Sequence, residues 1–150
     1  MRLSIDIPCR PATLNSATRF SKRGAYKSNA AKVFASVFNE TLTEDQNTAV
    51  ESFGLHYATI GNPCIIAGYT VNLEGLLTRN GFISKTSGDL ENLTKYATDL
   101  LFKEIKKTFS GCDDSQIIAL YSNKALGENG IRIDLESMEL DEYLKKEKYL

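Results

Sequence analysis

One histidine, His56, stands in a chain of 150 residues, which excludes multi-histidine metal centres and leaves little room for a Ser-His or Cys-His catalytic pair. Cysteine is scarce as well. Cys9, Cys64 and Cys112 are odd in number and lack a CxxC spacing, so they support neither a disulfide framework nor a thiolate zinc site, and they suit a reducing cytoplasm. Any metal must therefore be held by oxygen. No apolar run approaches the roughly 18 residues of a membrane span, and charge and proline interrupt the first segment, MRLSIDIPCRPATLN. Neither a signal peptide nor a membrane partner is expected. An excess of one charge is missing too: 18 Lys and Arg face 19 Asp and Glu, a net charge of −1. On its face that balance argues against a protein that coats nucleic acid. What remains is an ordinary globular composition, 42% apolar and 25% charged, in a chain whose length suits a single domain over 1–150.

Leu3, Ile5 and Ile7 alternate with Ser4 and Asp6, which predicts a half-buried strand that Pro8 and Pro11 terminate. From Arg10 to Lys27 the chain is rich in Ser, Thr, Asn, Gly and basic residues without periodicity, and reads as a loop. Ser28 or Asn29 caps a helix to about Leu42, whose Ala31, Phe34, Ala35, Val37 and Phe38 share a face. The stretch 43–51 is polar and reads as exposed. A strand is expected over about 65–73 and a loop over 79–88. A helix follows from Asp89 to about Lys107, with Leu90, Leu93, Ala97, Leu100 and Leu101 in one stripe. Two further alternating runs, 117–122 and 131–135, flank a Gly127-Glu-Asn-Gly130 turn and read as a hairpin. From about 139 the chain is a charged tail, either a peripheral helix or a frayed end. These elements together predict a small α/β (α+β) domain with a mixed sheet flanked by helices.

Two clusters carry chemistry. On the helix that starts at Asp89, the residues Asp89, Asn92, Lys95 and Asp99 fall at i, i+3, i+6 and i+10 on the face opposite the apolar stripe, with Glu91 beside them. Alone, that content suits a solvated, ion-paired helix surface. The second cluster is Gly111-Cys-Asp-Asp-Ser115, directly before a strand. Two carboxylates about 4 Å apart repel by roughly 4 kcal/mol at an effective dielectric near 20, so adjacent aspartates call for a neutraliser. A divalent cation is one such group, since magnesium takes carboxylates and water in an octahedron. An Asx-turn between helix and strand is the plainer alternative.

In order and spacing the two clusters resemble a family. Gly88-Asp-Leu-Glu-Asn-Leu-Thr-Lys-Tyr-Ala-Thr-Asp99, then Asp113-Asp-Ser-Gln-Ile117 and Lys124, is similar to the signature of the RusA-type Holliday junction resolvases. That signature runs Asp-Leu-Asp-Asn-Leu, Lys, Asp and then Asp-Asp-x-Gln-Val. Pro8, Asn15 and the Tyr26-Lys-Ser28 step into a helix are also placed as in that family, whereas 52–66 has no clear counterpart. The resemblance implies that Asp89, Glu91 and Asp114 hold catalytic magnesium, with manganese as a substitute. Asp113 and Asp99 would support them, Lys95 would sit near the scissile phosphate, and Asn92 would orient a ligand. Glu91 departs from the family pattern, which has Asp there; it keeps the charge and lengthens the side chain by one methylene.

The implied activity is magnesium-dependent cutting of four-way or other branched DNA by paired nicks, carried out by a homodimer whose two-fold axis matches the junction. A small resolvase of this type would suit a phage, acting in the host cytoplasm. Residues 1–40 carry seven basic side chains against two acidic ones, which makes the stretch holding Asn15, Arg19, Lys22, Arg23, Tyr26 and Lys27 a surface for tracking phosphates, joined by Lys124. The acidic tail offsets that charge: residues 134–150 carry six acidic side chains against three basic ones. The net charge of −1 therefore conceals an uneven distribution compatible with DNA. Two other readings stay open: a junction-binding protein in which Glu91 has weakened catalysis, and an unrelated interaction protein with structural carboxylates. The first helix, through Phe34 and Phe38, is the expected dimer contact.

Overall fold

The alternation at the N-terminus does form a strand, β1 (Arg2–Ile7), with Leu3, Ile5 and Ile7 buried and Ser4 and Asp6 exposed. The structure, a computed structural model, describes residues 1–13, 18–21 and 24–147. The segment read as a loop contains a two-stranded antiparallel ribbon, β2 (Thr18–Ser21) and β3 (Gly24–Lys27). Backbone pairing between two short strands needs no apolar period, which is why composition did not disclose it.

Helix α1 (Asn29–Thr41) begins where Ser28 Oγ accepts the Ala31 amide at 3.2 Å. The polar stretch after it is exposed along most of 43–51, as expected, and it forms the first turns of a helix, α2 (Glu44–Tyr57). Thr43 caps it, Glu44 and Asp45 occupy the first turn where carboxylates favour the helix dipole, and only the later Val50, Phe53, Gly54 and Tyr57 are buried. The first turns are polar because they carry no core residue. Phe34 and Phe38 of α1 are 0% and 1% exposed, so they belong to the core and offer no dimer contact.

Next come the long strand β4 (Pro63–Leu73), a 3₁₀ turn (Lys85–Ser87), helix α3 (Leu90–Thr108), a second 3₁₀ turn (Asp114–Gln116), and strands β5 (Ile117–Leu126) and β6 (Gly130–Glu139). A short helix, α4 (Leu140–Glu147), forms the charged tail and buries none of its described residues. The sheet order is β1-β6-β4-β5, with β4 and β5 parallel and the other pairs antiparallel. The expected hairpin of the last two strands is therefore absent: β4 lies between them and pairs with both. Adjacent strands stand about 4.8 Å apart, so the three-residue link 127–129 can arch over the end of β4 to a strand two places away. The Glu74 amide donates to Asn129 Oδ1 (2.9 Å) and fixes that arch.

The domain is α+β with a mixed sheet. Helices α1, α2 and α3 cover one face, joining Phe34, Phe53, Leu93, Leu101 and Ile105 to Ile5, Ile65, Val71 and Ile133 in one core. The other face is polar and self-paired, with Arg132 Nε bonded to Asp134 at 3.1 Å and Arg2 lying 3.8 Å from Glu136. Helix α3 crosses from β4 to the parallel β5, which sets its polar face beside the mouth of β5. No described helix is long and apolar enough to cross a membrane.

Candidate functional site

Gly88 enters α3 at φ +92, a conformation that side chains rarely adopt, and a Cβ there would also stand 3.3 Å from Leu93. Asp89 follows as the N-cap, yet its side chain makes no capping hydrogen bond and is exposed. From this start the apolar stripe of α3 buries Leu93, Ala97, Leu101, Phe102 and Ile105, which turns Glu91, Lys95 and Asp99 outward, toward β5 and the turn before it.

Lys95 links the two clusters. Its Nζ donates to Asp114 Oδ2 at 3.1 Å and lies 3.2 Å from Asp99 Oδ1. The hydrogen bond to Asp114, then that to Asp99, raises the ammonium pKa above its usual range. Asp113 turns away and pairs with Lys106 near the other end of α3, and that contact holds its carboxyl well below the ordinary value. The adjacent aspartates thus avoid mutual repulsion by taking separate lysines.

Glu91, Lys95 and Asp114 line one cavity of about 550 Å³ between α3 and the sheet, with Ile117, Leu120 and Ser122 of β5 along its side. Tyr69, Thr94 and Thr98 also line it. Thr98 Oγ1 hydrogen-bonds the Tyr69 hydroxyl at 2.7 Å, and burial pushes the Tyr69 pKa up. These three were not singled out in the sequence. Thr94 and Thr98 sit at i and i+4 between the apolar stripe and the charged face of α3, and that is the pattern that could have marked them.

Among the described residues no three His, Cys, Asp or Glu side chains gather into a ready metal-binding set. Glu91 and Asp114 nevertheless bring two hard oxygen donors to one cavity. That fits magnesium, which is commonly held by one or two carboxylates together with water and substrate phosphate. Asp89 and Asn92 stand outside the cavity lining, and Asp99 contributes through Lys95.

Of the expected DNA contacts, Asn15, Lys22 and Arg23 lie outside the described residues. Arg19, Tyr26 and Lys27 are described only as backbone, with Arg19 opposite Tyr26 in the ribbon. Lys124 Nζ donates to Ser87 Oγ at 2.8 Å, on the turn that precedes Asp89. Arg10 meets the same turn, with its guanidinium donating to the Thr86 and Ser87 carbonyls at 3.3 Å each. Compared with known proteins, the chain matches no protein-family model. No curated protein matches it in sequence either.

Proposed function

We propose that this chain is a magnesium-dependent endonuclease that cuts four-way or other branched DNA by paired nicks. The observation that carries the reading is the convergence of Glu91 and Lys95 from α3 with Asp114 from the turn before β5, on one cavity. The resemblance of the Asp89–Lys124 stretch to RusA-type resolvases supports it, and names the substrate class. Glu91 and Asp114 would hold the ion.

When bound, magnesium supplies a Lewis acid for phosphoryl oxygens and lowers the pKa of its water. Lys95 brings an ammonium that stays protonated at physiological pH, because both of its partners raise its pKa. Placed against a non-bridging phosphate oxygen, it gains strength as charge builds in the transition state. Asp99 and Asp114 fix the direction of that ammonium. Thr98, tied to Tyr69, keeps the cavity floor in one arrangement. No histidine is needed as a base. Lys124 and Arg10 place positive charge at the turn ahead of Asp89, where the DNA backbone would approach.

A homodimer would present two such cavities to a two-fold junction. The test is cleavage of a synthetic four-way junction in magnesium and in chelator. Paired, magnesium-dependent nicks support the reading, and an inert protein refutes it. One observation favours a junction-binding protein with weakened catalysis: Lys95 neutralises Asp114 and Asp99, and among the described residues no third carboxylate joins Glu91 and Asp114. Tight junction binding without products in magnesium would select that reading.

A further inference from the structure

Between β4 and α3 the chain forms a small ordered finger. The Thr78 amide donates to the Phe82 carbonyl (2.7 Å), the Ser84 amide to the Leu76 carbonyl (2.8 Å), and Leu77 pairs with Ile83 in an antiparallel bridge. Gly81, at φ +83, closes the tip, where its amide donates to the Thr78 carbonyl at 2.9 Å. A hydrogen-bonded turn of this kind needs no apolar tip. Yet Phe82 is 72% exposed, Ile83 69% and Leu77 42%, so three large apolar side chains crowd one projecting hairpin. Single exposed apolar residues are ordinary, whereas a cluster on one projection marks a contact surface.

Charge and position select the partner. Arg79 in the tip and Lys85 at its base are exposed cations, and Glu74 is the one acidic residue between positions 74 and 88. An apolar tip framed by cations suits a polyanion with stackable interior faces, which is what the bases of nucleic acid are. The finger is also continuous with the cavity. Ser84 Oγ accepts the Thr86 amide at 3.3 Å, Arg10 and Lys124 pin Thr86 and Ser87, and α3 with Glu91 and Lys95 begins directly after. A hydrogen-bonded connection thus joins the tip to the cleft.

We propose that the hairpin 76–84 is a wedge whose Phe82, seconded by Ile83, stacks against the bases that end the arms at the branch point of DNA held in the adjacent cleft. The proposal rests on the nuclease reading for the kind of DNA. Branch points suit such a wedge because their bases are already the easiest to unstack, so the side chain gains stacking at little cost in pairing. Arg79 and Lys85 would meet the flanking phosphates.

The experiment uses a four-way junction carrying 2-aminopurine at the branch point, titrated in EDTA with the wild type, Phe82→Ala and Phe82→Trp, beside a linear duplex and a cleavage assay in magnesium. Phe82 is exposed, so neither variant loses core packing. The wild type is expected to raise the fluorescence. Phe82→Ala should lose that rise and bind the junction roughly ten-fold more weakly, the loss of about one base stack. Phe82→Trp should keep both properties, and duplex affinity should be the same for all three. If Phe82→Ala binds and unstacks the junction as the wild type does, the wedge is wrong while cleavage in magnesium still upholds the nuclease. If the Phe82-dependent fluorescence rise is present but no product forms, the nuclease reading is wrong and the wedge stands. A wild type that binds no junction, or that instead sediments with anionic phospholipid vesicles through Phe82, overturns the wedge.

Discussion

Lys95 Nζ stands 3.1 Å from Asp114 Oδ2, a contact across nineteen positions that ties the polar face of α3 to the turn before β5. The pair is partly solvent-exposed, at 44% and 32% of the side chains, so its share of stability is small, about 0–1 kcal/mol. Its value lies in placing a protonated ammonium between carboxylates at a cavity. Lys95→Met should therefore leave the thermal midpoint within a few degrees of wild type while lowering the junction-cleavage rate by about a hundred-fold or more. Calorimetry and single-turnover cleavage on the same preparation check both halves.

Gly88 supplies the second prediction. Its φ of +92 and the Leu93 side chain 3.3 Å from any added Cβ leave alanine strained as well as crowded. Gly88→Ala should destabilise the fold by roughly 1–2 kcal/mol, read as a lower urea midpoint at unchanged slope. Because Asp89 is the next residue, the variant should lose more cleavage activity than stability alone explains.

Asp113 gives a pH dependence. Lys106 first, then Ser115, holds its carboxyl below the ordinary 3.8 in the folded chain. A depressed folded-state pKa means that the unfolded chain binds the proton more readily, so the stabilisation is complete above about pH 4 and is lost as pH falls through the folded value. Urea midpoints at pH 5 and pH 3 should converge for wild type and Asp113→Asn on acidification, with the wild type losing more.

The thiols sort by burial. Cys112 is fully buried, and burial pushes its pKa to about 12, while Cys64 is buried as well and Cys9 is half-exposed. Native protein at pH 8 should release one thiol equivalent to a disulfide reagent, from Cys9, and slowly, because burial raises that thiol too. All three should react in denaturant.

How far these features were legible in the sequence depended on which physical signal each carried. β1, α1, β4 and α3 were readable because their buried residues recur at one period, and Ser28 or Asn29 marked the start of α1, with Ser28 the cap in the structure. Helix α2 was not, since its first turns bury nothing and its core residues begin only at Val50. The two last strands were placed correctly and paired wrongly: alternation fixes which face of a strand is buried, not which neighbour it takes, so nothing in residues 117–135 reveals that β4 lies between them. At the site, the charged face of α3 and the Asp113-Asp114 step could be read directly. Which aspartate would meet Lys95 could not be, because that depends on the turn Asp114–Gln116 and on how α3 lies over β5. Tyr69 and Thr98 escaped notice because a buried hydroxyl pair looks, in sequence, like ordinary strand and helix residues.

The central claim is tested most directly by incubating the purified chain with a synthetic four-way junction in magnesium, in EDTA, and in magnesium with Asp114→Asn. Paired nicks near the branch point that require magnesium and fall at least about a hundred-fold in the variant are the predicted result. An intact junction with the wild type in magnesium, or full activity in Asp114→Asn, would contradict it.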